Sequence, residues 1–150
     1  MKAVVQRVLN ADLKVDGKLI SEVGKGFVVF LGVKVNDGDE ELYKIISKIA
    51  KLRIFEDENG KMNLSIKQVG GEILLVSNFT LCDKKGSGGA RPDFTISAKK
   101  DKANELYLAL QKELIEYTLN VKYHAVYEGG DKNVTITYDA VNGFSAYSLK

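Results

Sequence analysis

The chain has 150 residues, 45% hydrophobic and 28% charged, which suits one globular domain with a proper core spanning residues 1–150. No stretch approaches the roughly 20 apolar residues of a membrane span, and the start Met1-Lys2-Ala3-Val4-Val5-Gln6-Arg7 lacks the apolar core of a signal peptide. A net charge of +2 is too small for a bulk nucleic-acid binder, and one cysteine with one histidine argues against a disulfide or an N/S metal site.

In chain order, Ala3 to Val8 and Ala11 to Val15 read as short strands. Asp16-Gly17 is a tight turn into Lys18 to Val23, and Gly24-Lys25-Gly26 turns into Phe27 to Leu31, so a β meander is expected. Asp37 offers a side-chain cap with Glu40 three residues on. Leu42, Ile45, Ile46 and Ile49 then follow at helical spacing, which predicts a helix from Asp39 to Lys51. Leu52 to Phe55 reads as a strand closed by the turn Asp57-Glu58-Asn59-Gly60.

Ile73 to Val76 is a continuous apolar run, the pattern of a strand covered on both faces. It delivers Ser77-Asn78-Phe79-Thr80 to its far end, ahead of the glycine-rich Gly86-Ser87-Gly88-Gly89. Ser97 or Asp101 can start a second helix, with Ala103, Leu106, Leu110, Leu114 and Tyr117 on its buried face. Strands are expected again at Val121 to Tyr127, Val134 to Tyr138 and Phe144 to Leu149. The sum is α+β: mixed, mostly antiparallel β-sheets with two amphipathic helices.

The Ser77 to Thr80 cluster has two readings on spacing alone. It is either a strand end whose hydroxyls satisfy local backbone groups, or a polar cluster on a rigid support, as a small-molecule site needs. The segment behind it carries Lys84, Lys85, Arg91, Lys99, Lys100 and Lys102 against Asp93 and Asp101. Such a segment is an ordinary solvated surface or a place that draws an anionic ligand such as an RNA end.

Conventional nucleophilic catalysis has little support. Thr80, Ser77 and Cys82 are candidate nucleophiles, but the one imidazole, His124, sits in a strand pattern with no motif around it. No Gly-x-Ser-x-Gly elbow occurs, and Gly86 to Gly89 is not followed by the Gly-Lys-Ser/Thr of a phosphate loop. The run Glu56-Asp57-Glu58 falls in a hairpin turn, where it is solvated. What is left is a site of backbone N–H groups and small polar side chains. It would cleave only an activated bond such as an ester, by positioning and oxyanion stabilisation.

Several segments occur together in order: Gln6-Arg7-Val8; Leu52-Arg53-Ile54-Phe55 running on through Met62-Asn63-Leu64; Ser77-Asn78-Phe79-Thr80-Leu81; and Arg91-Pro92. Together they resemble the D-aminoacyl-tRNA deacylase family over roughly residues 1 to 120. The resemblance implies a cytoplasmic homodimer that acts without a metal or cofactor on the 3′ end of aminoacyl-tRNA. It would hydrolyse the ester of D-amino acids, and of glycine mischarged on alanine tRNA.

By resemblance, Thr80 and Phe79 carry the chemistry, while Ser77, Asn78, Arg7, Met62 and Arg91 bind substrate. Asn78 stands where the family signature has glutamine. Whether Thr80 attacks or a ribose hydroxyl assists a water is open, and the lack of a base favours the second. The family also carries a Gly-Pro motif near its C-terminus that reaches into the partner subunit and rejects L-amino acids. Here Ala140-Val141 or, with a short gap, Gly143-Phe144 falls at that place, and the chain's one proline is Pro92. A family-like binding protein with lost or altered selectivity is the alternative.

Overall fold

A computed structural model describes residues 1–84, 90–117, 120–124, 133–140 and 147–149. Gly86 to Gly89, Val141, Gly143, Phe144 and the strand expected over 125–127 lie outside the described residues.

The chain opens with β1 (Lys2–Val15), β2 (Lys18–Val23) and β3 (Gly26–Gly32). Asp16 and Gly17 both adopt positive φ, 48° and 80°, which is the turn geometry that matches strand twist in a two-residue hairpin. The expected meander is not formed. Ala11 pairs with Val23, Val8 with Gly26 and Lys2 with Gly32, all antiparallel and in one register. β2 and β3 are therefore two halves of one returning arm, and Gly24-Lys25 interrupts that arm without reversing it. Ala3 to Val15 likewise belongs to one strand, not two.

Next comes α1 (Asp39–Lys51), with Leu42, Ile45, Ile46 and Ile49 buried as the spacing predicts. Its cap differs from expectation. Gly38 is the N-cap, and its N–H donates to Glu41 Oε2 at 2.9 Å. That backbone bond holds the half-buried Glu41 carboxyl below its ordinary value. Asp37 faces elsewhere, accepting from the Lys34 N–H at 2.6 Å and from the Met1 amino group. The strand expected at Leu52 to Phe55 reduces to β4 (Phe55–Glu56), which pairs with β5 (Met62–Leu64). Asp57 is more than a solvated charge, since its Oδ1 accepts the N–H groups of Asn59 and Lys61 and shapes the turn.

β6 (Glu72–Ser77) runs parallel to β3 on one side and to β7 (Asn120–His124) on the other. β8 (Val134–Ala140) and β9 (Tyr147–Leu149) pair along the second edge of β1. β2 and β7 end the main strand order yet come into contact, so the sheet curls.

Alternation along the strands builds two cores. Val5, Phe27, Val29, Ile73 and Leu75 face α1 and α2 (Lys100–Glu116). Val8, Leu13, Val28, Leu74 and Val76 form the second cluster, on which Val134 and Ile136 of β8 pack. β6 is thus covered on both faces, as its unbroken apolar run requires. On α2 the buried residues are Leu106, Tyr107, Leu110 and Leu114. Ala103 is half-buried, and Tyr117, expected in the stripe, is the exposed C-cap residue instead. Each fully buried Leu or Ile contributes about 1.5–3 kcal/mol of hydrophobic stabilisation.

Candidate active site

β6 stops at Ser77, Asn78 stays extended, and Phe79–Cys82 coil into a 3-10 helix. The turn is seated on the end of β3 by the Asn78 N–H, which donates to Leu31 O at 2.8 Å. This seat requires a glycine at position 32. A Cβ there would lie 2.9 Å from Cys82 Sγ, 3.0 Å from Leu81 Cβ and 3.1 Å from Asn78 O.

Within the turn, Asn78 Oδ1 accepts two bonds from Thr80, its N–H at 3.1 Å and its hydroxyl at 2.6 Å. A backbone N–H can only donate, so the oxygen of the carboxamide must be the atom facing Thr80. Asn78 is half-buried, while Phe79 and Thr80 are exposed.

A second segment closes over the turn. Ser97 forms a bridge with Lys34, the Val35 N–H donates to Ile96 O, and the Ala98 N–H donates to Val33 O. So held, Ser97 donates its hydroxyl to Phe79 O at 3.0 Å, and the Phe94 ring meets Phe79 edge-on at 5.3 Å. Between the turn, this segment and α2 lies a cavity of about 310 Å³. Ser77, Phe79, Phe94, Ser97, Lys99 and Tyr107 are among its walls. Tyr107 is buried and donates its hydroxyl to Leu75 O at 2.7 Å, which fixes α2 to the strand two residues before Ser77.

The cavity wall, as described, contains lysines but no carboxylate and no imidazole. Cys82 lies fully buried under the turn, and burial pushes its thiol above the ordinary range, which leaves it a poor nucleophile at neutral pH. Among the described residues no group of three His, Cys, Asp or Glu side chains is placed to hold a metal ion.

The residues expected at the site are only partly gathered there. Ser77 and Phe79 line the cavity, with Asn78 and Thr80 in the same turn. Arg7 is buried in β1 and donates to the Ile54 carbonyl, so it braces the approach to β4 and is not in the cavity wall. Met62 is exposed on β5 and Arg91 is exposed near the entry to the 94–98 segment. Ala140 ends β8 opposite Val8. Sequence reasoning missed Phe94, Ser97 and Tyr107. Tyr107 carried a signal, since it falls between Ala103 and Leu110 on the same helical face.

Similarity to known proteins bears on this arrangement. The profile of a family described as D-Tyr-tRNA(Tyr) deacylase matches residues 4–139, which takes in the whole turn and stops one residue short of Ala140. A D-aminoacyl-tRNA deacylase of Dictyoglomus turgidum is 49% identical over 132 residues, 86% of this chain and 79% of its own length. Another, from a Sulfurihydrogenibium species, is 42% identical over 139 residues, 93% of this chain and 92% of its own. Among solved structures, one described as c-Myc DNA Unwinding Element Binding Protein superimposes with TM-score 0.84 at 32% identity. It covers 100% of this chain and 98% of its own. A probable eukaryotic D-amino acid tRNA deacylase superimposes with TM-score 0.73 at 14% identity, covering 99% and 98%, a likeness of fold.

Proposed function

The chain belongs to the D-Tyr-tRNA(Tyr) deacylase family, and on that premise we propose how the Ser77–Thr80 turn serves the family's reaction. The protein is a D-aminoacyl-tRNA deacylase, a hydrolase of the ester that joins a D-amino acid to the 3′ end of tRNA. The observation that carries the mechanism is a polar turn at a strand end, beside a cavity whose described wall contains no carboxylate or imidazole.

The cavity is within the usual range for a small-ligand site, and Phe79 and Phe94 give it an aromatic wall for the terminal adenosine. Lys99 and Lys100 add positive charge beside it, favourable to the RNA's phosphates. Water adds to the ester carbonyl, and N–H groups of the turn stabilise the oxyanion. The bond from the carbonyl carbon to the ribose oxygen then breaks. The water's proton passes through the neighbouring ribose hydroxyl to that oxygen, releasing free amino acid and an intact RNA end. Thr80 is not the nucleophile, because no group beside it in the turn can take its proton.

The working unit is a homodimer in the cytoplasm. Among the described residues no helix is long and apolar enough to cross a membrane. A second reading keeps catalysis but relaxes selection, and two observations favour it. The chain's one proline is Pro92, and the family match ends before Ala140. Glycine mischarged on alanine tRNA is then a substrate as well.

The test is to incubate purified protein with D-tyrosyl-, L-tyrosyl- and glycyl-tRNA and follow release of the amino acid. D-tyrosyl-tRNA is cleaved on this account. If it survives high protein concentration, the catalytic reading fails, and a strong D preference rejects the relaxed one.

A further inference from the structure

Asn78 spends both lone pairs of its side-chain oxygen on Thr80, one on the N–H and one on the hydroxyl. The Thr80 N–H is therefore occupied before any substrate arrives, although the deacylase reaction gives it a use as an oxyanion donor. Resting on that reading, we propose that Asn78 is a positioning residue that keeps the two Thr80 donors in reserve. Its oxygen occupies them in the free protein and yields them only to the negatively charged oxygen of the tetrahedral intermediate.

Acceptor strength decides the exchange. An ester carbonyl is a weaker acceptor than a carboxamide, so bound substrate leaves the Asn78 bonds intact. A hydrogen bond to a full negative charge is about twice as strong as a neutral one, so the oxyanion displaces the carboxamide. An interaction made only in the transition state raises kcat without tightening substrate binding.

The rest of the turn permits this exchange. Its backbone is held separately, by the Asn78 N–H on Leu31 O and by Ser97 on Phe79 O. The Asn78 side chain can thus swing away without unravelling the strand end. Thr80 is exposed, so an incoming oxygen can reach it.

The probe is an adenosine analogue in which a methylene group replaces the ester oxygen on the 3′ carbon, so that D-tyrosine is held through a ketone, a weak acceptor like the ester, which the enzyme cannot hydrolyse. In Asn78→Ala and Asn78→Gln the Thr80 N–H is released, and the analogue binds about 3- to 10-fold tighter, the worth of one neutral hydrogen bond. Exchange of the Thr80 amide hydrogen quickens in both variants. In Asn78→Asp a carboxylate holds the donors against the oxyanion, and kcat falls about 100-fold at pH 8. Measured against wild type at each pH, that deficit shrinks as the pH falls and the carboxyl protonates. A purely structural role predicts weaker analogue binding in all three variants and a deficit that does not change with pH. Either result overturns the proposal. Analogue binding needs no turnover, so a wild-type protein that binds the probe but cleaves no ester would fail the functional reading and leave this test standing.

Discussion

Tyr107 donates its hydroxyl to the carbonyl of Leu75 at 2.7 Å, a bond that ties the second helix to the strand that carries the site. Both groups are buried, so neither can turn to water in exchange. Tyr107 also lines the cavity, which ties the depth of the pocket to this bond. Tyr107→Phe keeps the ring and leaves a buried carbonyl with one acceptor site lost, at a cost of about 1–3 kcal/mol. For a chain of this size each kcal/mol lowers Tm by about 2–4 °C, which thermal denaturation reads directly.

Gly32 is the floor on which the turn rests. In Gly32→Ala the new methyl meets Cys82 Sγ and Leu81 Cβ at 3.0 Å or less, with Asn78 O just beyond. Strain of this kind costs about 1–3 kcal/mol, and because it displaces Asn78 the deacylation rate falls as well. Adding Cys82→Ala removes the closest of the three contacts and restores part of both stability and rate. A double variant no better than Gly32→Ala would show that the sulfur is not what the methyl strikes.

Cys82 also makes stability depend on alkaline pH. Burial raises its thiol above the ordinary value of 9.0, so the folded state keeps the proton longer than the unfolded one. The contribution is complete below the unfolded value and is lost as pH rises from there through the folded value. Urea denaturation of wild type and Cys82→Ala should therefore converge above pH 9, with the variant flatter. Alkylation of the native thiol at pH 7–8 should be slow beside that of the unfolded chain.

Ser97 links the 94–98 segment to the site turn through a hydrogen bond to Phe79 O. Ser97→Ala removes that tie at a partly exposed position, so stability drops by about 1 kcal/mol or less. The rate falls several-fold, because Phe79 and its neighbour Thr80 lose their alignment. A rate equal to wild type would show that the backbone bonds of Val35 and Ala98 suffice to hold the wall.

What could be read along the chain was what neighbours in sequence decide. Asp39 to Lys51 and the two-faced run Ile73 to Val76 are set by periodicity, and both stand as expected. At Gly24-Lys25-Gly26 the structure departs from the expected turn because a reversal and an interruption use the same residues. Only the common register of Val23 and Gly26 against β1 tells them apart, and register is a long-range property. The same holds at the site. Ser77 to Thr80 was visible as a polar cluster after a buried strand, but its opposite wall is Phe94 and Ser97, brought there by the bridge to Lys34. Asp37 looked like a cap because its spacing suits one, yet it is taken by the Lys34 N–H and the Met1 amino group.

The measurement closest to the heart of this account compares D-tyrosyl-tRNA ending in normal adenosine with the same tRNA ending in 2′-deoxyadenosine. A site whose described wall holds no base depends on the substrate's neighbouring hydroxyl. The normal ester should be hydrolysed, and the deoxy ester should be slower by about 100-fold or more. Equal rates on the two would contradict the account, because the protein would then have to supply the proton transfer itself.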